Sequence, residues 1–173
     1  GVFALAASLA LTGCSPATTP AAAPAAEHSS EASSAAESLT ITDAWTKAAD
    51  SGMSAVFGVL HNDGDSDITV VSAVTEVSPM VELHETVESA TGEMVMQQID
   101  GGFVIPAGGS LNLEPGGNHI MLMGLSNPIV AGDTVTFTLE LADGETMTFD
   151  APVKDFSGAN ETYQEEHTEE SGH

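Results

Sequence analysis

An antiparallel β-sandwich is the fold class predicted from the sequence, on three observations. Short runs rich in Val, Ile, Thr and Leu begin at Leu39 and alternate with turn signals. The turns recur every 8–16 residues or so, the spacing of consecutive short strands in a two-sheet domain. No stretch of useful length carries a helical period.

The elements follow in chain order. Strands are expected near 39–46, 54–61, 67–75, 80–88, 94–99, 110–113, 118–124, 134–141 and 146–150. The first long turn is Asn62-Asp63-Gly64-Asp65, followed by Ala90-Thr91-Gly92 and Pro106-Ala107-Gly108-Gly109. Pro115-Gly116-Gly117, Ala131-Gly132-Asp133 and Ala142-Asp143-Gly144 close the later hairpins. Gly, Asn and Asp tolerate the positive φ that tight turns need, and Pro presets the turn's first residue. The ordered domain is expected at 39–156. Before it, 15–38 is Ala, Pro, Ser, Thr and Glu with almost no large apolar side chain. Such a stretch buries too little surface to offset its ordering entropy, and is expected to be a tether reaching roughly 25–30 Å on average. After it, 157–173 is again Glu-, Thr- and Ser-rich and is expected to be a disordered acidic tail.

The chain has 173 residues, 26 of them acidic and only two basic (Lys47 and Lys154), for a net charge of −24. It therefore offers no phosphate-binding surface, and nucleic acid is excluded as a partner class. So acidic a protein should associate with a basic partner in a salt-sensitive way. Residues 1–14 form an apolar run without a basic n-region, too short to span a membrane, and read as the end of a signal peptide. The ending Leu11-Thr12-Gly13-Cys14 resembles a bacterial lipobox, so Cys14, the only cysteine, is the expected lipidation site. An extracytoplasmic lipoprotein, held at the membrane by its lipid alone, is the localisation that follows.

With its only cysteine in the leader, the folded domain has no thiolate. What it has is His84, the pair Met94 and Met96, and His119-Ile120-Met121. Imidazole and thioether together suit Cu(I), which is soft, far better than zinc or a redox-cycling copper. Residues two apart on a strand share a face. His119, Met121 and Met123 therefore point one way, with Ile120 and Leu122 towards the core. Met94 and Met96 share a face opposite Val95, and His84 shares one with Glu82 and Thr86. These faces are otherwise polar within their own strands, so a bound metal would be expected near solvent. Met53, Met80 and Met147 are expected to be core filler, and His61 a satisfied surface residue. Periodicity alone leaves His119-x-Met121 open between metal binding and core side chain.

The segment from Val81 to Asp133 resembles the PCuAC family of periplasmic copper chaperones. The matching pieces are Val81-Glu82-Leu83-His84-Glu85-Thr86, Met94-Val95-Met96 and Ile105-Pro106-Ala107-Gly108-Gly109. They continue through Leu113-Glu114-Pro115-Gly116-Gly117-Asn118-His119-Ile120-Met121-Leu122-Met123-Gly124-Leu125 to Pro128 and Gly132-Asp133. The family pattern is a His, ten residues, a Met, twenty-one residues, then His-x-Met. Met96 lies one residue off that spacing on each side, whereas Met94 is off by one and by three. Met96 is thus the expected ligand and Met94 the reserve, with turns or bulges absorbing the extra residues.

The resemblance implies a cupredoxin-like Greek-key sandwich holding one Cu(I) through His84, Met96, His119 and Met121. It further implies delivery of copper to the copper centre of a haem-copper (cytochrome c) oxidase, beside a Sco-type thiol protein. His167 and His173 in the acidic tail, and His28 in the tether, are candidates for a weak Cu(II) site. The chain is expected to be a monomer and not an enzyme. A blue-copper carrier is excluded because its site needs a Cys within the domain. No nucleophile elbow or His-rich redox site supports an enzyme. A non-metal adhesion module and a copper storage or tolerance protein stay open as alternatives.

Overall fold

The computed structural model describes residues 34–158 together with 162–163. Cys14, His28, His167 and His173, and with them the lipidation and tail-site expectations, lie outside the described residues. Eleven strands form among those described: β1 (Leu39–Lys47), β2 (Gly52–Asn62), β3 (Ile68–Thr75), β4 (Met80–Glu88), β5 (Met94–Gln98) and β6 (Phe103–Ile105), followed by β7 (Ser110–Leu113), β8 (His119–Leu125), β9 (Thr134–Leu141), β10 (Thr146–Lys154) and β11 (Thr162–Tyr163). One helical turn, α1 (Ala35–Ser38), precedes them.

The hydrogen-bonded order is β11-β5-β4-β8-β2-β1-β10-β9-β3-β6, with β7 also on β2. Most ladders are antiparallel, as expected. Two are parallel: β1 joins β10 at Thr46↔Val153 and Lys47↔Lys154, and β11 joins β5. The β1–β10 junction links two halves that face each other across one core. Val56, Leu60, Leu83, Ile120 and Leu122 come from the β5-β4-β8-β2-β1 side. Val70, Phe137, Leu139, Leu141 and Phe149 come from the β10-β9-β3-β6 side. The alternation of β9, buried at Val135, Phe137, Leu139 and Leu141 and exposed or half-exposed between, is the period-2 pattern of a sheet with one face on the core.

Three elements fall where none was expected. Residues 35–38, assigned by composition to the tether, form a helical turn. Ser34 and Glu37 cap it reciprocally, and Ala36 N–H donates to Glu145 Oε2 at 2.8 Å. β11 falls inside the expected tail. β6 was unforeseen, because three residues between Gly101-Gly102 and Pro106 are too few to show alternation. Gly102, at φ +85°, lies against the Val70 carbonyl, where any Cβ would collide; Gly101, at φ +91°, has open space around it. Gly102→Ala is therefore expected to cost more than the ~1–3 kcal/mol of a forced backbone alone, and Gly101→Ala no more than that. Urea unfolding of the two variants side by side checks the difference.

Candidate metal centre

The site face belongs to β8 and its neighbours. His119 and Met121 alternate with Ile120 and Leu122, which are fully buried in the main core. The opposite face is not polar, contrary to expectation: His84 is 0 % exposed, His119 2 %, Met121 4 % and Met96 7 %. The reason lies in strands the local pattern could not foresee. Ala55 and Phe57 of β2 join Met96 and Met121 in a second, smaller apolar cluster, with Trp45 and Met123 against it. A bulge in β1 between Thr42 and Trp45, with Asp43 at φ 53°, turns Trp45 over this face. Gly58 makes room for the bulge, since a Cβ there would press on the Thr42 carbonyl at 3.0 Å. Trp45 then stacks at 4.7 Å on Phe57, whose ring lies 6.2 Å from that of His119.

Register brings the two histidines together. His84 and His119 are direct cross-strand partners on β4 and β8, with ring centroids 5.5 Å apart and edge to face. Each ring is oriented by a hydrogen bond on its far side. His84 Nε2 lies 2.8 Å from Glu82 Oε2, so its Nε2–H donates to the carboxylate. His119 Nδ1 lies 3.0 Å from the Gly117 carbonyl, which accepts only, so Nδ1 carries that proton. Thr86 Oγ1 donates to the same carbonyl at 3.3 Å. The ring nitrogens on the other side, His84 Nδ1 and His119 Nε2, are both buried. Metal-ligating imidazoles characteristically carry such a carboxylate or carbonyl on the other nitrogen.

A cleft of about 470 Å³ opens beside them. Met96, His119, Met121, Ala55, Phe57 and Met53 line it. Among the described residues no carboxylate does, and the charged lining residue is Lys47. Among the described residues, no three or more His, Cys, Asp or Glu side chains gather to hold a metal. Imidazole nitrogen and thioether sulfur are the donor types these residues carry, which suits a soft monovalent ion and serves zinc or a hard cation badly.

Of the residues expected at the site, His119, Met121 and Met96 line the cleft, and His84 adjoins it through His119. Met94 does not join them: it is 48 % exposed and pairs with Glu88 at the outer end of β5. His61 bonds Thr42 at 2.9 Å, away from the cleft. Glu82, Trp45, Phe57 and the Gly117 carbonyl were not expected. Only Glu82 had a sequence signal, two residues before His84 on the same strand face. Glu82→Gln, which removes the charge and keeps the shape, is expected to weaken Cu(I) binding roughly tenfold with no change in melting temperature. An unchanged affinity would reduce Glu82 to a surface neighbour of the ring.

The sequence profile described as "Putative lipoprotein LpqE-like" matches residues 39–153. "Putative lipoprotein Lxx21020" of Leifsonia xyli subsp. xyli (strain CTCB07) is 48% identical over 128 residues, 74% of this chain and 76% of that one. DR1885 of Deinococcus radiodurans, solved in solution, is similar in both its forms. The apo form is 32% identical, with TM-score 0.50, over 85% of this chain and 98% of that one. The CuI form is 31% identical, with TM-score 0.51, over 71% and 84%. The copper-bound PCuAC domain from PmoF2, at 18% identity and TM-score 0.58 over 71% of this chain and 97% of that domain, shares the fold. The cupredoxin-like sandwich expected from the sequence is therefore the fold adopted. With two thirds of its length matched by one family profile and nearly half its aligned residues shared with a relative, the chain belongs to the LpqE-like family.

Proposed function

We propose that the protein is an extracytoplasmic copper chaperone that binds Cu(I) through His84, Met96, His119 and Met121. The observation that carries this reading is the pairing of two oriented, buried imidazoles with two thioethers beside a cleft that no carboxylate among the described residues lines. Its relative DR1885, 31% identical in the CuI form, supports it. Neutral donors hold Cu(I) without the charge of thiolates, so the ion leaves by ligand exchange. That property suits cargo better than a resident cofactor. Copper is the substrate here, and the acceptor is the copper centre of a cytochrome c oxidase, reached directly or through a Sco-type thiol protein. Anchoring through Cys14 would keep the domain at the membrane surface; its lipoprotein relative supports that placement, and no helix among the described residues is long and apolar enough to cross a membrane.

The test is an anaerobic Cu(I) competition titration of the full chain, with Met96→Leu beside Met94→Leu. Both swaps conserve volume and should cost under about 1.5 kcal/mol of stability. Met96→Leu is expected to weaken the first equivalent of copper by roughly tenfold or more, and Met94→Leu to leave it unchanged. Equal behaviour of wild type and Met96→Leu would favour a non-metal binding module.

A further inference from the structure

The chain holds seven methionines, and three stand abreast on neighbouring strands. Met53 of β2 is the register partner of Met123 of β8, and Met123 in turn is the partner of Met80 of β4. Met123 lies two residues beyond Met121, so the row shares the sheet face of Met121 and His119. The row runs one rung, roughly 7 Å, further along β8 than Met121. Met53 and Met80 were expected in the core. Instead they are 50 % and 53 % exposed, and Met123 is half-buried. Burial therefore does not account for the two outer thioether side chains, Met53 and Met80.

The backbone under the row is held firmly. Ser78, 6 % exposed, places its Oγ 2.7 Å from both the Met80 and Met123 carbonyls, donating to one at a time, and accepts the Met123 N–H at 3.1 Å. Cross-strand partners carry Cβ atoms about 4.5–5.5 Å apart. Unbranched methionines with three rotatable bonds can close such a gap around one ion. Three neutral thioethers without a carboxylate among them select Cu(I) over harder cations. Met53 also lines the cleft that Met96, His119 and Met121 line.

We infer that Met53, Met80 and Met123 form a second Cu(I) site, at the mouth of the cleft, which passes copper to or from the His/Met centre. The ion moves by exchange of one neutral thioether for another and stays Cu(I) throughout, so no electron or proton is transferred. The binding stands on these three residues alone; the handover rests on the cleft being the first Cu(I) site.

Methyl NMR of the full chain, labelled at the methionine methyls and titrated with Ag(I) and then anaerobically with Cu(I), separates the two. The first equivalent is expected to move the methyls of Met96 and Met121. The second should move those of Met53, Met80 and Met123 while Met94 and Met147 stay put. Met123→Leu, and independently the exposed Met80→Leu, should weaken the second equivalent roughly tenfold or more and spare the first. A second equivalent that leaves the three methyls unmoved, or that binds equally well in both variants, overturns the inference. If the three methyls shift while Met96 and Met121 never do, this site stands and the cleft reading fails.

Discussion

His119→Ala is expected to lower Cu(I) affinity by more than about a hundredfold, the largest effect of any single change at the site. Changes to outer partners of a ligand already cost ~10–100-fold, and His119 is proposed as a ligand itself. It is also the residue that connects the others: it faces His84 across the ladder, lines the cleft with Met96 and Met121, and lies against Phe57. Removing a buried ring leaves a void and destabilises the fold as well. Met121→Leu serves as the shape-conserving companion. It should lose copper affinity while its melting temperature stays near wild type, which separates ligation from folding. Competition against a Cu(I) chelator, read together with thermal melts of the apo forms, checks both.

Phe137→Ala is expected to cost about 3–5 kcal/mol of unfolding free energy. Phe137 is fully buried at the centre of β9 and stacks on Phe149 of β10, with ring centroids 5.4 Å apart. Its partners on either side, Thr75 and Phe149, belong to different strands. Truncation therefore opens the core at the point where β3, β9 and β10 meet. Domains are commonly stable by only about 5–15 kcal/mol, so the variant should unfold at a much lower urea concentration. Phe156→Ala, at a 41 % exposed ring, should shift the midpoint little. On the proposed function, Cu(I) bound to the native state at the cleft should return part of the loss: about 4 kcal/mol at a thousandfold excess of free ion over Kd. In His119→Ala that rescue should be absent.

How much could be read from the sequence follows from what each signal reports. β4, β7 and β9 begin and end where the turn residues and apolar alternation place them. β10 runs on to Lys154, past Pro152, because the proline pairs only with Thr134 near the end of its ladder, where a missing N–H is tolerated. β6 is too short for alternation to register, and α1 depends on a cap and a distant Glu145 that composition does not weigh. At the site, residue types drew attention to His84, Met94, Met96 and His119-x-Met121, and the resemblance to the PCuAC pattern implied Met96 over Met94. What covers them was not legible. The apolar lid of Trp45, Ala55 and Phe57 arrives from β1 and β2 through a bulge and long-range register, and strand-local face counting sees neither. The same blindness put Met53 and Met80 in the core, because an apolar residue in a strand pattern carries no label for which side of the sheet it covers.

X-ray absorption at the copper edge, on the full chain loaded anaerobically with one equivalent, tests the central claim most directly. The account predicts a Cu(I) edge with both imidazole nitrogen and thioether sulfur in the first coordination sphere, the sulfur contribution halving in either Met96→Leu or Met121→Leu and vanishing when both are made. A sphere of oxygen and nitrogen alone, or a sulfur contribution that survives both substitutions, would contradict it.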